Sequence, residues 1–258
     1  MRLMLTAATG MDTQQLNIDT IANNIANVNT TAFKKSRANF HDLLYQTKRA
    51  PGQNVTTGTV IPSGIQIGSG SRLASVDKMF KTGSPRVTGS DLDFMVEGDG
   101  FFQIQKDDGT IAYTRDGHFQ RDNTGRVVTA DGFPLVPEII VPQGASNFTV
   151  GLDGTVTVKV DNEVQELGQI QLASFINPPG LASLGRNLYG STPASGEAVV
   201  GIPNQDNFGA LIKGQLESSN VDIVEEMVNM ISGQRAYELN SKVIQTGDQM
   251  LASTVNVR

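Results

Sequence analysis

The stretch MLTAATGMDTQQLNIDTIANNIANV, residues 4–28, decides how this chain is read. Taken in sevens, one position gives Met4, Met11, Ile18 and Ile25, and the position three residues later gives Ala7, Gln14, Ile21 and Val28. All but Gln14 are apolar, while Thr, Asp, Gln and Asn fill the other faces. That spacing predicts an amphipathic helix over residues 1–29 with a coiled-coil seam and one polar interruption. Asn and Thr are poor helix formers, so the helix is marginal alone and needs a partner along its seam.

The other end of the chain matches it in kind. Residues 221–255 predict a second helix, with Ser219 or Asn220 as its N-cap and Asp222, Glu225 and Glu226 at the positive end of its dipole. Val224, Val228, Ile231, Leu239, Val243 and Met250 make its apolar row. Gly233 and Gly247 weaken the helix interior, but a glycine also lets a neighbouring helix come close. Periodicity leaves two readings open. The helices either cap the β core of a monomer or pair across many copies.

Between the ends the pattern changes. Asp-Gly pairs recur at 99–100, 108–109, 116–117, 131–132 and 153–154, each a candidate hairpin turn with both residues at positive φ. Strand-like runs lie between them: 101–105, 110–114, 126–129, 155–160 and 168–173. The fold class is therefore mixed α and β. It combines a discontinuous terminal helical coiled-coil domain, 1–30 and 220–258, with a central antiparallel β domain, 72–205. Segments 31–71 and 206–219 form an extended connector region, rich in Thr, Gly and Pro over 46–70.

Composition narrows the function. The net charge of −6 argues against wholesale nucleic-acid binding, although Lys34, Lys35, Arg37, Lys48 and Arg49 oppose only Asp42 within 31–50. There is no cysteine, which removes disulfides, thiolate metal sites and cysteine nucleophiles. No apolar run approaches the about 20 residues that span a bilayer, and residues 1–11 lack the apolar core of a secretory signal. Export, if it occurs, is expected by a route that reads no cleaved signal. The two histidines, His41 and His118, lack metal-ligand spacing and stand near no nucleophile motif. Asp107-Asp108-Gly109 and Asp122-Asn123-Thr124-Gly125 lack the glutamate of an EF-hand and read as hairpin turns. No catalytic residue, cofactor or metal site is expected.

Three stretches carry a resemblance. Ile21-Ala22-Asn23-Asn24-Ile25-Ala26-Asn27-Val28-Asn29-Thr30-Thr31-Ala32-Phe33-Lys34 resembles the N-terminal signature of the bacterial flagellar axial proteins, the rod and hook group. Residues 92–102 and 113–117 are similar to the first strands of that family's β domain, and 214–222 and 234–238 to its C-terminal signature. The resemblance covers nearly the whole chain. Length and the 46–70 connector favour a distal-rod member over the longer hook member, with a proximal-rod member as the alternative. It implies a homopolymeric helical tube crossing the periplasm. Its ends would meet proximal-rod and hook proteins, periplasmic and outer-membrane rings would surround it, and the flagellar export apparatus would deliver it.

On that basis Met4, Met11, Ile18, Ile21, Asn24, Ile25, Asn27 and Val28 are expected to form an assembly interface with Val224, Val228, Ile231, Leu239 and Val243. The Asn-rich run 23–29 would supply side-chain hydrogen bonds where the helix ends. Lys48, Arg49, Pro51, Gly52 and Pro62 mark a segment expected to stiffen the tube. The competing class is a monomeric β-domain binding module whose helices order in dilute solution.

Overall fold

The protein is described by a computed structural model covering residues 2–50, 54–56, 59–60, 63–160 and 163–256. Helix α1 spans Arg2–Ala26 and helix α2 spans Ile223–Asn256, with antiparallel β structure between them. The chain divides into two compact units. The first holds Met1–Ala26, Ser36–Asp77 and Asp222–Arg258; the second holds Asn27–Lys35 and Lys78–Val221. The expected connector is thus divided between them, with 206–219 in the second unit.

In the first unit α1 and α2 run antiparallel, Met4 meeting Gly247 and Asn24 meeting Glu226. Strand Ser36–Asp42 pairs with Ser71–Lys78, and strand Tyr45–Arg49 pairs with Ile65–Gly68. Helix α1 stops at Ala26, short of the expected residue 29. The Thr30 amide bonds the Asn27 carbonyl, and Ala32 takes φ 55°, so a turn replaces the helix. Helix α2 is capped by Asp222, not by Ser219 or Asn220. Asp222 Oδ1 accepts from the amides of Val224 at 2.8 Å and Glu225 at 3.2 Å. Asn220 is committed elsewhere: its Oδ1 accepts from the Lys35 amide, and its Nδ2 donates to the Met79 and Lys81 carbonyls.

The second unit is built on a sheet in the order Ala182–Gly185, Leu188–Gly190, Ile111–Thr114, Phe101–Gln105, Leu172–Ser174, Val199–Gly201, with Leu135–Val136 also paired to Phe101–Gln105. The run FFQIQ is buried through its first four residues because apolar residues cover both faces of this strand. Phe102 and Ile104 join Phe94, Phe119, Leu135, Leu172 and Leu211 in one core, while Phe101 joins Tyr113, Phe175 and Tyr189 in another. In the second core Tyr113 and Phe175 meet edge to face at 4.8 Å.

The Asp-Gly turns close differently from the expected form. Gly109, Gly132 and Gly154 have positive φ, whereas their aspartates do not. Each glycine amide bonds a carbonyl three residues back, and Asp108 and Asp153 accept from the amide two residues on. The expected strand 168–173 divides into Glu163–Gln169 and Leu172–Ser174. Between them the Ile170 amide turns to the Gly154 carbonyl, which ends one sheet before the next begins.

Candidate assembly surface

In α1 the expected seam is the covered face. Ala7, Ile21 and Asn24 are buried, and Met4, Met11, Gln14, Ile18 and Ile25 are half-buried. Asn27 and Val28 lie beyond the helix, half-buried, in the second unit.

The face that α2 turns toward α1 is not its apolar row. Glu226, Gly233 and Gly247 are buried, and Met230, Tyr237, Asn240 and Ile244 are half-buried. Read along the helix, Glu226, Gly233, Asn240 and Gly247 recur every seven residues, the spacing of a helix seam. Each meets α1. Glu226 Oε2 accepts from Asn24 Nδ2 at 3.1 Å. A methyl group added to Gly233 would stand 3.1 Å from Ile18 Cγ1, and one added to Gly247 would stand 3.3 Å from Met4 Cγ. On α1 it is Gly10 that makes room, since a methyl there would come within 2.9 Å of Asn240 Nδ2. At Gly10, Gly233 and Gly247 small residues let the helices come close, with the half-buried Met230, Tyr237 and Ile244 beside them.

The expected α2 row therefore faces outward. Val224 is 72% exposed, Val228 60% and Leu239 65%, and Ile231, Val243 and Met250 are exposed as well. On helix α1, Leu5 and Leu16 are exposed too, whereas Leu3, although exposed, reaches α2, its Cδ2 3.4 Å from a methyl group added to Gly247. Single exposed apolar residues are ordinary, but a row of them along one helix marks a candidate interaction surface.

Asn24 is the hub of the helix pair. Its Oδ1 accepts from the Ser36 amide at 2.9 Å, and its Nδ2 donates to the Ser36 carbonyl at 2.9 Å as well as to Glu226. One side chain thereby holds α1, α2 and the first residue of strand Ser36–Asp42. Lys48 and Arg49 are exposed in Tyr45–Arg49; Pro51, Gly52 and Pro62 lie outside the described residues.

The second unit holds a different polar group. Lys34 Nζ donates to Glu217 Oε1 at 2.5 Å and to the Lys81 carbonyl at 2.9 Å, with both charged side chains buried. The Gly83 amide donates to the same Glu217 oxygen at 2.7 Å. Arg115 lies 3.8 Å from Glu217 Oε2, donates to the Gly98 carbonyl, and sits 5.6 Å from the centre of the Phe101 ring. Burial, reinforced by Arg115, lowers the Lys34 ammonium to about 8, against the opposing pull of Glu217. Burial likewise pushes Tyr189 up to about 12, helped by the charge of Glu217. Backbone bonds from Ala32 to Glu217 and from Asn220 to Phe33 join the same segments. The chain leading out of α1 and the chain leading into α2 are thus stitched together inside one core.

Sequence reasoning marked Gly233 and Gly247 as places where a helix could come close, but missed Glu226 and Asn240 as partners of α1, and Lys34, Arg115 and Glu217 as a cluster. The seven-residue repeat on α2 was the available signal, hidden because its members are polar or lack a side chain.

Comparison with known proteins agrees with this architecture segment by segment. Residues 4–34 match the model of the flagella basal body rod protein. Residues 95–158 match that of the flagellar hook protein FlgE/F/G D1 domain, and 212–257 that of the flagellar basal body rod FlgEFG protein C-terminal region. The flagellar basal-body rod protein FlgG of Borreliella burgdorferi is 48% identical, covering 100% of this chain and 99% of the relative. That of Caulobacter vibrioides is 46% identical over 100% of both. The flagellar hook-basal body complex protein FlhP of Bacillus subtilis is 34% identical over 100% of both. With likeness at this level running from end to end, through both helices and the β core, the chain belongs to the flagellar basal-body rod protein family.

Proposed function

We propose that this structural subunit of the flagellar basal body builds the distal rod as a self-assembling tube, a rigid drive shaft that carries motor torque across the periplasm to the hook and encloses part of the export path. The observation that carries this reading is the outward apolar row Val224, Val228, Ile231, Leu239 and Val243 on α2, with Leu5 and Leu16 on α1. A monomer gains nothing from exposing them; a neighbour that covers them removes apolar surface from water. In this reading α1 and α2 pair as a coiled coil in the tube wall, and the row meets the helices of adjacent copies. The arm around Tyr45–Arg49 and Ile65–Gly68, exposed along both strands, wedges between copies and stiffens the polymer. Proximal-rod and hook proteins adjoin the ends, ring proteins surround the shaft, and the export apparatus delivers each chain.

Sedimentation over a rising concentration series tests the reading. The unchanged chain assembles, whereas Ile231→Asp and Ile25→Asp stay monomeric while the second unit melts at its usual temperature. Ile231→Asp chains that sediment like the unchanged protein would remove the α2 row from the interface. Deleting residues 46–66 yields a more flexible polymer, and equally straight rods from that variant would rule out the wedge.

A further inference from the structure

Helix α2 has two ways to lie on α1. Amphipathicity alone would turn Val224, Val228 and Ile231 onto the apolar α1 seam, since burying them is favourable. The observed helix is rotated the other way. Glu226, placed between Val224 and Val228 in the sequence, is 1% exposed, and those two valines stand outside. The rotation half-buries Met230, Tyr237 and Ile244, but it also takes a carboxylate into the seam and leaves the longer apolar row in water, a cost that a specific contact offsets. Asn24 supplies such a contact. It is 1% exposed, fixed at 2.9 Å to both backbone groups of Ser36, and it donates to Glu226 at 3.1 Å. Because Ser36 holds the Asn24 amide from a separate strand, its N–H points at one place on α2 whatever the apolar residues favour.

We infer that Asn24 and Glu226 are positioning residues that pin α2 in its apolar-out rotation and so keep the assembly row facing outward. A buried polar pair that selects one helix arrangement over another is the best-attested use of such groups. Here the selection is of a face. Without the pin, α2 turns its own row inward and covers the surface that neighbouring copies need. The consequence for assembly rests on the rod-subunit reading, but the pin acts within one chain and is measured there. A chain that never assembles would therefore leave it standing.

The chain has no cysteine, so a single Val228→Cys substitution reports the face of α2 through the rate of maleimide alkylation of the full-length monomer. With no other change, the introduced thiol reacts fast. Alkylation slows at least tenfold with Glu226→Leu, which removes the carboxylate, and with Asn24→Asp, which sets a second carboxylate against it. Glu226→Gln retains an acceptor for Asn24 and keeps the fast rate. Adding Glu226→Gln to Asn24→Asp restores it, because the new amide donates to the new carboxylate; a role of Asn24 toward Ser36 alone would not be rescued in this way. Circular dichroism checks that the helices persist. Equally fast alkylation in folded Glu226→Leu and Asn24→Asp chains would overturn the pin and leave the glycine seam as what sets the rotation. Slow alkylation with Val228→Cys alone, or loss of the helices in both variants, would overturn it too.

Discussion

The two units solve the burial problem in opposite ways. The second closes large apolar side chains over both faces of Phe101–Gln105 and holds two buried cations around one glutamate. The first sets the apolar α1 seam against an α2 face that carries Glu226, Gly233, Asn240 and Gly247, and leaves the α2 row of valine, leucine and isoleucine outside. The second unit leaves only scattered apolar side chains such as Val87, Val164 and Ile176 exposed, whereas the first leaves a continuous row along α2. In the rod reading proposed above, that row is covered only when neighbouring copies arrive.

That contrast can be broken by substitution. The largest loss is expected from Glu217→Ala, which leaves Lys34 and Arg115 buried without their anion. Removing one partner of such a pair costs about 3–5 kcal/mol, read from denaturant unfolding of the second unit. Phe102→Ala, at a fully buried position, costs about 3–5 kcal/mol by the same measurement. In the helix pair, Gly233→Leu pushes a side chain against Ile18. It should cost about 1–3 kcal/mol, seen as loss of helical signal before the β core melts. A single cooperative transition in that variant would mean that the units do not differ as described.

Alkaline pH sharpens the comparison, because the strongest shifts lie in the second unit. Lys34 is lowered from 10.5 to about 8, so between those values the unfolded chain binds more protons than the folded one. Stability therefore rises with pH across that window, by up to about 1.4 kcal/mol per pH unit. Tyr189, raised from 10.0 to about 12, acts with the opposite sign, and its contribution is lost as pH climbs through that range. Lys34→Met should remove the rise and keep the fall, which unfolding curves from pH 8 upward would show. The smallest effect on stability belongs to Val228→Ser, within about 0.5 kcal/mol for an exposed position, yet it should weaken sedimentation of the assembled form. If it destabilises the monomer by more, the row is part of the fold after all.

What could be read from the sequence follows the same division. The α1 seam was legible because its covered positions are apolar and evenly spaced. The strands Phe101–Gln105 and Thr155–Val160 were legible because turn residues bound them. Helix α2 was visible as a helix, but its inner face was not, since apolar periodicity points to the wrong side when the seam is made of Glu226, Gly233, Asn240 and Gly247. The α2 cap moved to Asp222 because Asn220 is taken by Lys35, Met79 and Lys81, partners remote in sequence. The ion pair of Lys34 with Glu217 joins residues from opposite ends of the chain, and no local pattern announces it.

The antiparallel seam also sets an order in time. Met4 lies against Gly247 and Gly10 against Asn240, so α1 closes onto a helix that lies beyond the whole β region in sequence. A chain emerging N-terminus first, from ribosome or channel, carries α1 uncovered until the β region and α2 have followed. An incomplete chain can fold its β core and still lack the other half of the seam. The helix pair therefore closes only after the whole β core that separates its two halves has been made.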